Sequence, residues 1–146
     1  MYNKINKYFL DITKDLEVGG EYAVGILNLD NAINKLNFMV NGVDGKIDIQ
    51  LFEDAHFQNG TEIKLYDMNR INDNSSSLKI YDHCYVDDTG DKIRDSHAGQ
   101  FIFSGMVERD NFITLKNNTM YILKITNLSS TDNTIDLNLN VEEKIW

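Results

Sequence analysis

Thr134-Ile135-Asp136-Leu137-Asn138-Leu139-Asn140-Val141-Glu142 alternates polar and apolar side chains without a break. Successive side chains of a strand point to opposite faces. Ile135, Leu137, Leu139 and Val141 therefore share a dry face, and Asp136, Asn138, Asn140 and Glu142 share a wet one. A helix would not keep those four apolar residues on one stripe. The same alternation sets Ile47, Ile49 and Leu51 against Asp48 and Gln50. The pattern predicts a β protein in which each sheet keeps one face in water.

Working outward, further strands are expected over residues 22–29, 35–40, 46–52, 62–66, 78–81, 100–103, 112–115 and 119–127. Asn41-Gly42 and Asp44-Gly45 predict a hairpin between the second and third of these. Residues 128–133 predict a hairpin joining the last two strands. The first segment has two readings. Tyr2, Ile5, Phe9, Ile12 and Leu16 fall at helical steps, whereas residues 8–12 also read as a short strand. The expected fold is an all-β antiparallel sandwich, jelly-roll or immunoglobulin-like. Residues 1–17 would be its N-terminal arm or first strand, and residues 18–146 the sandwich domain.

The chain has 146 residues, enough for one domain with a moderate core. Its net charge of −9 argues against binding nucleic acid or an anionic membrane surface. Cys84 is the single cysteine, so no internal disulfide is expected. No apolar run reaches the roughly 18 residues of a membrane-spanning helix, and the opening residues lack a signal-peptide pattern. Proline is absent, leaving the corners to Asn, Asp, Gly and Ser.

The chemistry-bearing residues are sparse. His83 and Cys84 are adjacent and would point to opposite sides of a strand, and with His56 and His97 they show no zinc-ligand spacing. Cys84 as a nucleophile would need a histidine and a third orienting group. Asp87, Asp88 and Asp91 crowd hard oxygen atoms around a turn, which makes them a calcium candidate against the plainer reading of a solvated turn. Gly19-Gly20 lacks the P-loop lysine. Tyr66, Tyr81 and Tyr85 could line a sugar platform, or pack within the fold. No acid–base pair stands out, and the chain reads as a non-enzyme.

Several short elements occur in a fixed order: Leu51-Phe52-Glu53-Asp54, Asn59-Gly60-Thr61-Glu62-Ile63, Tyr66-Asp67-Met68-Asn69-Arg70 and a Ser-rich turn over residues 74–77. Ile80-Tyr81, Asp87-Asp88-Thr89-Gly90 and the 115–127 strand ending in Thr126-Asn127 follow. Together they resemble a family of small tailed-bacteriophage virion structural proteins. Asp67 stands where the family usually has Asn, and Asp95-Ser96-His97-Ala98-Gly99 replaces a glycine-rich loop. The resemblance implies a capsid-decorating or head-attached β-sandwich, assembled into the virion after synthesis in the bacterial cytoplasm. Its implied partners are the major capsid protein or other virion proteins and further copies of itself, as a homo-oligomer such as a trimer.

Contacts to those partners are expected at Tyr2, Ile5, Phe9 and Trp146, with closure of the protein's own core as the competing role. Among the shared residues Gly60, Thr61, Tyr66, Asn69, Arg70, Thr126 and Asn127 read as scaffold. Gly60 would take a positive φ at its turn, Arg70 would fork to a carboxylate or to loop carbonyls, and Thr126 and Asn127 would bond the backbone where the last hairpin begins. The alternatives are a carbohydrate-binding, adhesin-like module built on the tyrosines and a neck- or tail-attached virion protein.

Overall fold

The structure is a computed structural model and describes residues 4–29, 32–42, 45–69, 74–98 and 112–145. These residues form thirteen strands and no helix. The long ones are β1 (Lys4–Leu16), β2 (Glu21–Asn28), β3 (Ile33–Gly42), β4 (Ile47–Glu53), β10 (Asp91–Ala98), β12 (Thr119–Asn127) and β13 (Asn133–Ile145). Shorter pieces are β5 (His56–Gln58), β6 (Thr61–Ile63), β7 (Tyr66–Asp67), β8 (Leu78–Asp82), β9 (Tyr85–Asp88) and β11 (Ile113–Thr114).

One sheet has the order β11-β3-β13-β1-β7 and the other β10-β4-β12-β2-β8-β6. The chain passes from sheet to sheet between β1 and β2, β2 and β3, β3 and β4, and again between β12 and β13, while β1 pairs with β13. That alternation is the strand order of a jelly roll, which selects one of the two expected sandwich topologies. It also corrects both expected hairpins. β3 and β4 lie in different sheets, as do β12 and β13, so neither pair folds one strand onto its neighbour.

Lys4–Leu16 is a strand, not a helix, and pairs with β13 from Lys4↔Ile145 to Leu16↔Asn133. Tyr8, Leu10, Ile12 and Leu16 face inward at alternate positions, and this period-two pattern overrides the helical spacing once β13 is available as a partner. The inward side chains of both sheets, among them Ile26, Leu36, Leu51, Leu123, Leu137 and Leu139, form a single core.

A third layer covers part of the six-stranded sheet from outside. β5 and β9 pair into a ribbon, and Phe57 and Val86 pack with Ile122, Leu27, Phe52, Tyr81 and Met120. The expectation of one wet face per sheet therefore fails on this side. Strands β2 and β12 are apolar on both faces because both are covered. A Cβ on Gly25 would sit 2.7 Å from the Phe57 ring, so only glycine lets the ribbon settle.

Gly60 serves the same purpose and does not adopt the expected positive φ. Asn59 takes the left-handed backbone (φ 60°), while a Cβ on Gly60 would come 2.6 Å from Tyr81 Cβ.

Candidate functional site

Each end of the sandwich is closed by buried polar side chains whose partners are protein. At one end Asn127 is fully buried. Its Nδ2 donates to the Leu16, Glu17 and Thr131 carbonyls at 3.1, 3.0 and 2.9 Å. Its Oδ1 accepts from Ser129 N–H and Oγ. Asn127 thereby ties the β1–β2 turn to the β12–β13 arch, a role broader than the hairpin start expected for it. Its neighbour Thr126 sits opposite Asp48 and Glu21 in the six-stranded sheet.

At the other end Glu143 is buried and accepts from Ser77 N–H (2.7 Å), Ser77 Oγ (2.6 Å), Ser76 Oγ and the Tyr8 hydroxyl. Asn34 bridges Ser77 Oγ to Asn28 Oδ1, and Asn28 Nδ2 donates to the Lys116 carbonyl at 2.8 Å. Burial, then the charges of Glu143 and Asp67, push the Tyr8 phenol up to about 12. Asp67 accepts from Asn74 N–H (2.9 Å) and Asn69 N–H (2.8 Å). The Asn74 N–H holds its carboxyl below the ordinary range, and Asn69 adds to the effect. These shared-motif residues hold loops in place. Thr61 opens β6 opposite Asp82. Arg70 lies outside the described residues.

The sequence-predicted sites are dispersed. Asp87 turns its carboxylate to His56 Nδ1 (2.5 Å) and Gln58 Nε2 (3.0 Å), and Asp88 accepts from Gly90 N–H. Among the described residues no group of three or more His, Cys, Asp or Glu is placed to hold a metal ion. Asp87, Asp88 and Asp91 therefore lie at the β9–β10 turn without forming a calcium cage. Burial pushes the Cys84 thiol up, away from the thiolate a nucleophile needs.

The three tyrosines do not share a platform. Tyr66 lies on β7 of the five-stranded sheet, Tyr81 on β8 under Phe57, and Tyr85 on the outer ribbon opposite Gln58. Of the expected contact residues, Ile5 is 57% exposed on β1, and Phe9 is half-buried with its ring 5.8 Å from that of Tyr66. Tyr2 and Trp146 lie outside the described residues.

What remains is the outer face of the five-stranded sheet, whose registers set side chains in rows. Ile33, Lys144 and Ile5 form the first row, followed by Lys35, Glu142 and Lys7. The next row runs Asn37, Asn140, Phe9 and Tyr66, and beyond it come Met39, Asn138 and Asp11. A recess of about 300 Å³ opens around Lys7, Asn37, Met68, Phe112, Asn140 and Glu142. Near the first row a second recess, of about 290 Å³, lies between Leu29, Ala32, Ser76, Lys79, Glu143 and Ile145. Sequence alternation marks Asn37 only as an outward residue. That it would be buried at 2% exposure depends on what the fold lays over it.

No protein-family model matches the chain, and no curated protein matches it. Among solved structures, a chain of the decameric BFDV capsid protein aligns over 96% of this chain and 99% of its own, at 9% identity and a TM-score of 0.21. A likeness of that size adds nothing to the topology already described.

Proposed function

We propose that the chain is a non-enzymatic structural component of a tailed-phage particle that decorates or attaches to the capsid surface. The observation that supports this reading most directly is the end of the sandwich where Lys4 pairs with Ile145. Ile5 is exposed there, Ile33 shares its row, and Leu29, Ala32 and Ile145 rim the adjoining recess. A rigid jelly roll with an apolar end can stand on a lattice through that end and leave its sheets free. The motif residues that carry the family resemblance support the same reading, because Gly60 and Asn127 hold the scaffold together.

Jelly rolls serve capsid and lectin domains alike, so the fold class does not choose between them. Attachment would rest on modest contacts multiplied by copy number, with the major capsid protein as partner and a symmetric homo-oligomer as the docking unit.

The test is to purify the particle encoded beside this gene, identify its proteins, and rebind purified chain to particles that lack it. The reading expects the chain in the particle, saturable rebinding, and loss of rebinding for Ile5→Asp. A chain absent from the particle, or rebinding that ignores Ile5→Asp, would count against it. Rebinding to isolated tails and not to heads would move the site to the neck or tail.

A further inference from the structure

The recess on the outer face of the five-stranded sheet is lined in part by Asn37. That residue is 2% exposed, and among the described residues its side-chain Nδ2 has no hydrogen-bond partner. Buried amide groups are almost always satisfied, and leaving one bare is unfavourable. At the two ends of the sandwich the amide nitrogens of Asn28, Asn34 and Asn127 do donate, to backbone carbonyls or to neighbouring side chains. Asn37 also lines the recess, so a ligand seated there packs against its side chain.

We infer that this recess binds one ring of a neutral sugar, with Asn37 Nδ2 donating to a ring hydroxyl. The other lining groups define the ligand class. Asn140 offers both a donor and an acceptor, Glu142 offers acceptors, and Lys7 offers donors. Phe112 and Met68 supply an apolar wall. A polyol ring meets both demands, because its hydroxyls donate and accept around its edge while its C–H face is apolar.

An anion would meet Glu142 and a net charge of −9, and a cation would meet Lys7. The volume of about 300 Å³ lies at the lower end for ligand pockets, which suits a single ring. The row then continues from Asn37 and Asn140 to Phe9 and Tyr66. That aromatic pair is placed to meet the next ring of an oligosaccharide. The site is separate from the apolar end and does not rest on the particle reading.

The experiment is a side-chain amide NMR titration of the full chain with glucose, galactose, mannose and N-acetylglucosamine, each followed by its disaccharide. At least one sugar is expected to shift the Asn37 side-chain amide saturably, and its disaccharide to bind more tightly. Asn37→Leu removes a bare buried polar group and is expected to stay folded while weakening that sugar about tenfold, the loss of one net hydrogen bond. Asn140→Ala, on the solvent side of the recess, is expected to weaken it in the same direction. The inference is overturned if none of these sugars moves Asn37, if both variants bind as tightly as the parent, or if shifts gather instead around Tyr81 and Tyr85.

Discussion

The outer faces of the two sheets start from similar strands and meet opposite fates. On the six-stranded sheet, Ala23, Leu27, Met120 and Ile122 point outward, and the β5–β9 ribbon covers them with Phe57 and Val86. On the five-stranded sheet, Asn37, Asn138, Asn140, Asp11 and Glu142 point outward in register. The first face is spent on stability. The second mixes these polar side chains with Ile5, Phe9, Ile33 and Met39, and it holds the recess beside Asn37. That recess is therefore where the second face offers binding chemistry.

The contrast predicts unequal costs. Phe57→Ala removes the ring that closes the covered face and should cost about 3–5 kcal/mol, measured by denaturant unfolding. Gly25→Ala pushes a methyl into that ring and should cost about 1–3 kcal/mol. Because Cys84 packs in the same cluster, its labelling by a thiol reagent should quicken in both variants. Labelling at the parent rate would mean that the ribbon is not packed as described.

Tyr121 lies between the layers and should show a smaller effect. Its hydroxyl donates to Glu53 at 2.9 Å and accepts from Lys116 N–H at 2.8 Å, so Tyr121→Phe should cost about 1 kcal/mol. Burial raises its phenol above the ordinary value, as it does for Tyr22 and Tyr8. Such a phenol keeps its proton in the folded chain after the unfolded chain has lost it, so stability is full below pH 10. It should fall as the pH rises from the unfolded value of 10 towards about 12, the value for Tyr8. Tyr8→Phe should flatten that decline in a series of alkaline melts. At the acid extreme, Asp67 contributes stability that is lost as the pH falls through its depressed value, and Asp67→Asn should remove that part of the acid sensitivity.

The smallest effect belongs to the outer face of the five-stranded sheet. Asn138→Ala should change stability by no more than about 0.5 kcal/mol in the same unfolding assay. A larger loss would show that the outer rows hold the sheet together and are not available for binding.

The two faces also differ in how plainly the sequence shows them. The strict alternation of residues 134–142 identified β13 and its dry face, because that strand has water on one side. Residues 22–27 and 119–125 lack a clean alternation, which is the mark of strands covered twice, yet nothing local says what the cover is. One end of the cover, at Asp87 and Asp88, reads as a turn in the sequence. Asp87 and Asp88 suggested a solvated loop, but Val86 pairs with Phe57 and Asp88 with His56, and long-range pairing overrode the local composition. β10 was missed for another reason. Lys92, Arg94 and Asp95 make it look like loop, and charge is how an edge strand avoids pairing with strangers. Asn37 is not singled out by the sequence, since Asn138 and Asn140 share its outward register and only its burial without a partner among the described residues distinguishes it.

The most direct test is cryo-electron microscopy of the particle encoded beside this gene, at a resolution that orients the sandwich. The account predicts density on the capsid exterior with the Ile5 end against the lattice and the row from Asn37 to Tyr66 facing solvent. Density with that row pressed into the lattice and the Phe57 ribbon outermost, or no density anywhere on the particle, would contradict it.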